Sequence, residues 1–159
     1  MDSTTRRFAF AFRMLMAWTF LYAASHQVLN PKFSAAMFLS NTKTFHDLYA
    51  PLTNPAYDPI LTFLVSYGHL AIGVSLLLGL AVRISSLAGI ALLLTYWTAH
   101  MEWPYIENHN NLIVDYHIVY ATVCLFLFAS NAGHVLGLDK FVARLPLVQK
   151  HRLLRMVIG

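Results

Sequence analysis

Four ionisable residues at the ends of apolar stretches carry most of the chemistry available to this chain: His26, His100, Asp115 and His117. An imidazole titrates near neutral pH and a carboxylate beside it favours its charged form. Such a pair can take up or deliver the protons that quinone reduction and quinol oxidation both require. Trp18, Tyr22, Tyr96 and Trp97 fall beside these histidines at helical spacing and can sandwich a planar ring, while His69 lies on a further apolar stretch. The expected assignment is therefore catalytic for His26, His100, Asp115 and His117. Trp18, Tyr22, His69, Tyr96 and Trp97 are expected to hold a cofactor, quinone. For any single histidine the competing assignment is a hydrogen-bonded packing residue, because membrane helices pack through polar stripes.

A metal is the rival use of the same residue types. His100, Glu102, Glu107, His109, Asp115 and His117 are all ligand types for zinc, copper or iron. Their spacing matches no metal motif, and residues two apart on a continuous helix point about 200° away from each other. No metal site is expected. The same geometry bears on the carboxylate–imidazole pair, since Asp115 and His117 share a pocket only if the helix begins at about Asp115.

The elements that must position these groups are membrane helices. Hydrophobic residues make up 58% of the 159 residues and charged residues 11%, far below the roughly 25% charged share of soluble domains. Windows long enough to span run over 8–29, 59–82, 84–103 and 112–131. They predict an all-α, integral membrane four-helix bundle forming a single domain over 1–159. The first window has a basic start but no clear small-residue cleavage site, and is expected to remain as a helix. Arg13 lies inside it and is expected to snorkel to the headgroups. The long connection from Asn30 to Asp58 is rich in aromatics and punctuated by Pro31, Pro51 and Pro55. It predicts one or two short amphipathic helices able to roof a pocket. Cys124, the only cysteine, cannot form an intrachain disulfide and is expected to be a packing residue.

Charge placement predicts orientation. Arg6, Arg7, Arg13, Arg83, Lys140, Arg144, Lys150, Arg152 and Arg155 fall on the side of the termini, against Lys32 and Lys43 opposite. Both termini are thus expected in the cytoplasm of a prokaryotic cell, with the acidic, histidine-bearing face outside. Net charge of +4 is accounted for by this asymmetry and calls for no nucleic-acid partner. The basic tail 140–159 alternates cations with leucines, as a segment lying on anionic lipid does.

Three segments carry a family resemblance. GHLAIGVSLLLGLAVRISSLAGIALLL, from Gly68 to Leu94, resembles the second and third helices of the DoxX/DoxD membrane proteins. VDYHIVYATVCLFLFASNAGHVLGLDKFV, from Val114 to Val142, resembles their fourth, and Arg13 to Phe33 is similar to their first. The resemblance implies a four-helix membrane protein and, in the DoxD branch, a subunit of thiosulfate:quinone oxidoreductase. It further implies a second protein subunit and a small inorganic sulfur substrate. The chain departs from the family pattern at His69, where relatives commonly carry Glu, and at His134, where they commonly carry Arg. A non-catalytic membrane anchor or assembly subunit of a larger complex is the alternative.

Overall fold

A computed structural model describes residues 1–158. Four helices form the bundle: α1 (Ser3–Val28), α4 (Asp58–Leu78), α5 (Val82–Ala99) and α6 (Tyr116–Ala129). Between α1 and α4 the chain forms α2 (Ala35–Leu39), α3 (His46–Tyr49) and a 3-10 turn at Ala50–Thr53. After α6 come a 3-10 turn at Ala132–His134, then α7 (Asp139–Val142), α8 (Pro146–Lys150) and α9 (Arg152–Ile158). In the bundle α1 packs on α4 and α6, and α5 on α4 and α6, closing a ring of four. Helices α1, α4 and α5 are long and apolar enough to cross a membrane.

Small residues bring the helices together. On α1 the buried face runs Ala9, Arg13, Met16, Ala17, Phe20 and Ala24, a stripe at three- and four-residue steps that opens close approach for neighbours. Ser66, His69 and Gly73 form the matching stripe on α4, and Ser85, Ser86 and Gly89 on α5. Cys124 is fully buried and packs beside Gly89.

The first helix starts earlier than the sequence reading, at Ser3, and the second ends earlier, at Leu78; two further differences bear on the site. The third span ends at Ala99, not at Trp103, because Met101–Glu102 (β1) leaves the helix to pair with Tyr105–Ile106 (β2), which pairs in turn with Asn108–Leu112 (β3). Pro104 lacks the amide N–H that a helix needs there. This small antiparallel sheet is an addition to the predicted all-α architecture. The fourth predicted span, 112–131, is a shorter apolar helix, Tyr116–Ala129; it starts at Tyr116 because Asp115 is in extended conformation and its carboxylate accepts the His117 N–H at 3.0 Å as an N-cap.

Arg13 does not snorkel. It is 1% exposed and donates to the carbonyls of Ala132, Val135 and Leu136 at 2.8, 2.9 and 3.0 Å. One guanidinium thereby satisfies the backbone of the turn that leaves α6. Asp139, also fully buried, accepts from the N–H groups of Ala81 at 2.7 Å and Val82 at 3.1 Å, capping α5 from a distant part of the chain. Burial pushes its carboxyl up from the ordinary range, against the lowering effect of those two N–H donors. The Leu138 and Asp139 amides donate back to the carbonyls of Leu78 and Gly79. Gly79 adopts a φ of 64°, and a Cβ on it would lie 2.6 Å from the Gly137 Cα and 2.5 Å from Arg13 Nη1. The Leu-Leu-Gly-Leu turn and the Gly-Leu-Asp ending are thus two halves of one lock. The basic tail is helical over much of its length, and α9 returns to pack on α5.

Candidate functional site

At the end of the bundle opposite the termini, the segment between α1 and α4 forms the roof expected of it. Asp58, at the start of α4, accepts from Ser34 Oγ at 2.9 Å and from the Ala36 N–H at 2.9 Å. The Ala35 N–H donates to Thr62 Oγ1 at 2.9 Å. The Tyr49 hydroxyl reaches Thr98 Oγ1 on α5 at 2.6 Å. Lys43 pairs with Glu102 on β1, and the Trp103 N–H donates to Thr44 Oγ1 at 2.8 Å. Two helices and the sheet therefore hold the roof.

Beneath it lies a chamber of about 440 Å³ with largely apolar walls, lined by all four bundle helices and the roof. Four of the sequence-predicted residues converge there: His69, Tyr96, His100 and His117. The Tyr96 ring is 5.6 Å from His69 and 6.0 Å from His117, centroid to centroid, and His100 and His117 are 5.1 Å apart. Phe20 on α1 flanks His69 at 5.8 Å, and Phe38 on α2 lies 4.9 Å from His100. Asp115 joins the wall through His117, whose Nδ1 is 2.5 Å from Asp115 Oδ2. Both residues are buried. Because the helix starts at Tyr116, Asp115 can turn back over the first turn, which satisfies the geometric condition for the pair.

His100 also lines a smaller cavity of about 190 Å³, where Asn41, Lys43, Glu102 and Glu107 stand beside Phe38, Ala99 and Met101. Lys43, hydrogen-bonded to Glu102, holds that carboxyl below the usual carboxylate range. The chamber thus has one wall in common with a charged vestibule. Among the described residues no group of three or more His, Cys, Asp and Glu is arranged to hold a metal.

The remaining predicted residues lie elsewhere. Trp18, Tyr22 and His26 form a ladder on the outside of α1, with ring centroids 6.2 and 4.5 Å apart, and Trp18 is 69% exposed. Helical phase groups Thr19, Tyr22 and His26, with Trp18 beside them; Thr19 lines the chamber, while the other three point away from the bundle. Trp97 does not line the chamber; its indole Nε1 donates to the Ile113 carbonyl at 2.8 Å and ties α5 to the strand leading into α6.

Gln27, Phe38 and Asp58 are site residues that the sequence reading passed over. Gln27 lines the chamber, and its side-chain Oε1 is buried without a hydrogen-bond partner. Its signal was present in the pattern, since it extends the α1 stripe of small and buried residues by three positions from Ala24. Phe38 lies on α2 among the aromatic residues that predicted the roof without singling it out, and Asp58 opens α4.

A bundle of apolar helices with a roofed chamber at one end defines an integral membrane protein. A family model described as DoxX matches residues 8–101, more than half of the chain, and the protein belongs to the DoxX family. The match runs from α1 to β1 and so includes His69, Tyr96 and His100 but not the Asp115–His117 pair. No curated protein and no solved structure matches the chain.

Proposed function

We propose that this protein is a quinone-linked redox membrane subunit of the DoxX/DoxD type, binding the quinone ring in the roofed chamber. The observation that carries the reading is the convergence of His69, Tyr96, His100 and the Asp115–His117 pair on one otherwise apolar cavity. A cavity of about 440 Å³ lies within the range of roughly 300–1,000 Å³ usual for small-molecule sites. Tyr96 and Phe38 offer aromatic faces to a planar ring, and the helices around them admit an isoprenoid chain from the lipid side. Two-electron reduction of a quinone consumes two protons. His117, oriented by Asp115, is suited to relay them, and His100 connects the chamber to the charged vestibule. The catalytic set proposed is thus His100, Asp115 and His117, without His26.

Electrons would come through a second subunit, as the thiosulfate:quinone oxidoreductase resemblance implies. An anionic sulfur donor finds little attraction at the vestibule, where Lys43 is already paired with Glu102. The donor is better accommodated on that partner. The arginine-rich end with both termini is assigned to the cytoplasm by the positive-inside rule, which puts the chamber on the outer side of a prokaryotic membrane.

The test is quinone-dependent electron transfer in membranes carrying His117→Ala or Asp115→Asn. Each variant is expected to lose at least about tenfold in rate while remaining inserted, the usual scale for a positioned acid–base group being 10²–10⁴. Wild-type rates in both would remove the assignment. A non-catalytic anchor is the second reading, favoured by the exposed Trp18–Tyr22–His26 ladder as a face for a partner helix. It predicts that the ladder variants lose the partner while the chamber variants change nothing.

A further inference from the structure

The polar groups in the chamber are unequal in kind. His69 Nδ1 lies 2.7 Å from the Val65 carbonyl and His100 Nδ1 lies 2.9 Å from the Tyr96 carbonyl. A carbonyl only accepts, so each Nδ1 carries the proton and donates it. In a neutral ring the remaining nitrogen, Nε2, is then an acceptor. His117 repeats the arrangement, with its Nδ1 directed to the Asp115 carboxylate. Gln27 adds the unpartnered Oε1. The hydroxyls of Thr19 and Thr95, also on the wall, spend their protons on the carbonyls of Leu15 and Ala91 at 3.0 and 2.9 Å, leaving only lone pairs. Gln27 Nε2 donates to the Tyr96 hydroxyl at 3.5 Å, so Tyr96 keeps a proton to donate beside the acceptors on Gln27, His69, His100 and His117; the other tyrosine hydroxyls in the lining can donate or accept.

We infer that the chamber selects the hydrogen-donating, reduced form of its ligand: a para-dihydroxy aromatic rather than the corresponding quinone. This rests on the proposed quinone-site reading and deepens it: quinone enters as the substrate of reduction, and tighter binding of the quinol product makes reduction of the bound ring more favourable. A quinone offers only acceptor carbonyls and would leave Gln27 Oε1 and the imidazole lone pairs without partners in an apolar cavity, which is costly. A quinol brings two O–H donors. One is suited to Gln27 or His69, and the other to His117, whose Asp115 partner stabilises the proton that the ring would receive. A site complementary to an O–H group discriminates strongly against an analogue without one, because its buried polar groups then go unpaired.

The experiment is anaerobic calorimetric titration of the full chain in detergent with three ligands of matched size: a short-chain benzoquinol, the quinone of the same substitution, and the dimethyl ether of that quinol. The quinol is expected to bind at least about tenfold tighter than either of the others, a ratio of about 1.4 kcal/mol. Gln27→Leu and His69→Phe are expected to narrow that ratio. Equal or tighter binding of the quinone would overturn the selectivity and leave the quinone site standing. Failure of all three to bind would overturn the quinone site with it. The comparison is made on the wild-type protein, so it holds whether or not either variant folds.

Discussion

Arg13 satisfies three carbonyls of one turn with a single planar group, and no other side chain present could replace it there. An ammonium at the same position has donors but not the fork that spans Ala132, Val135 and Leu136. Arg13→Met would leave those carbonyls buried and unpaired and strip Asp139 of a neighbouring cation. A loss of about 3–5 kcal/mol is expected, read as a lower melting temperature in detergent, and Arg13→Lys should recover only part of it. An unchanged melting temperature in Arg13→Met would contradict the clamp. At this scale the sequence was most informative about the opposite end of the bundle. The two-residue spacing of Asp115 and His117 already stated the condition under which they could meet, a helix beginning between them. It was least informative about Trp18, Tyr22 and His26. Helical phase says which residues share a face, but in lipid the outward face is as apolar and aromatic as the inward one. Ala9, Ala17 and Ala24 lie on the buried side together with Arg13, Met16 and Phe20, and Trp18 and Tyr22 on the lipid side.

Among the elements, the turn between α4 and α5 depends on the segment after α6. Gly79 has a left-handed backbone and lies against both Gly137 and Arg13, so Gly79→Ala combines strain with a clash that backbone atoms cannot relieve. It is expected to destabilise by at least about 2 kcal/mol. Gly68, in the middle of α4, has open space where a Cβ would go. Gly68→Ala is expected to be neutral or to stabilise by up to about 1 kcal/mol through helix propensity. Parallel melting curves of the two variants check both expectations, and equal behaviour would contradict the lock. The four bundle helices were legible because each is a long apolar run. The β-sheet was not, since strands of two to five residues carry too little periodicity and Met101 and Trp103 continued the apolar pattern of α5. The mutual dependence of the two glycine turns was also hidden, because it joins segments far apart in sequence.

For the molecule as a whole, the charge asymmetry and the roofed chamber give its two ends different chemistry. If the termini are cytoplasmic, Lys43→Cys beside the sheet should react with a membrane-impermeant maleimide in intact cells, and Lys140→Cys only after permeabilisation. The opposite pattern would invert the assignment. Cys124 is buried and should contribute little background. The general architecture and a roofed pocket could be read from composition, hydropathy and the long connection, whereas which of the predicted residues meet in it could not, because that depends on how side chains of four helices face one another under the loop.

The length of α6 has a physical consequence for the membrane itself. Its 14 residues rise about 21 Å at 1.5 Å per residue, short of a hydrocarbon layer of about 30 Å. At the corner where α6 begins, the shortfall is met by non-helical chain bearing the exposed apolar residues Trp103, Leu112, Ile113 and Val114. A helix this short favours local thinning of the surrounding bilayer. Headgroups and water come closest to the middle of the membrane beside the pair Asp115–His117. Acyl-chain length in the surrounding lipid therefore acts directly on the hydration of that pair, and bilayer thickness becomes a variable that sets how readily protons reach it.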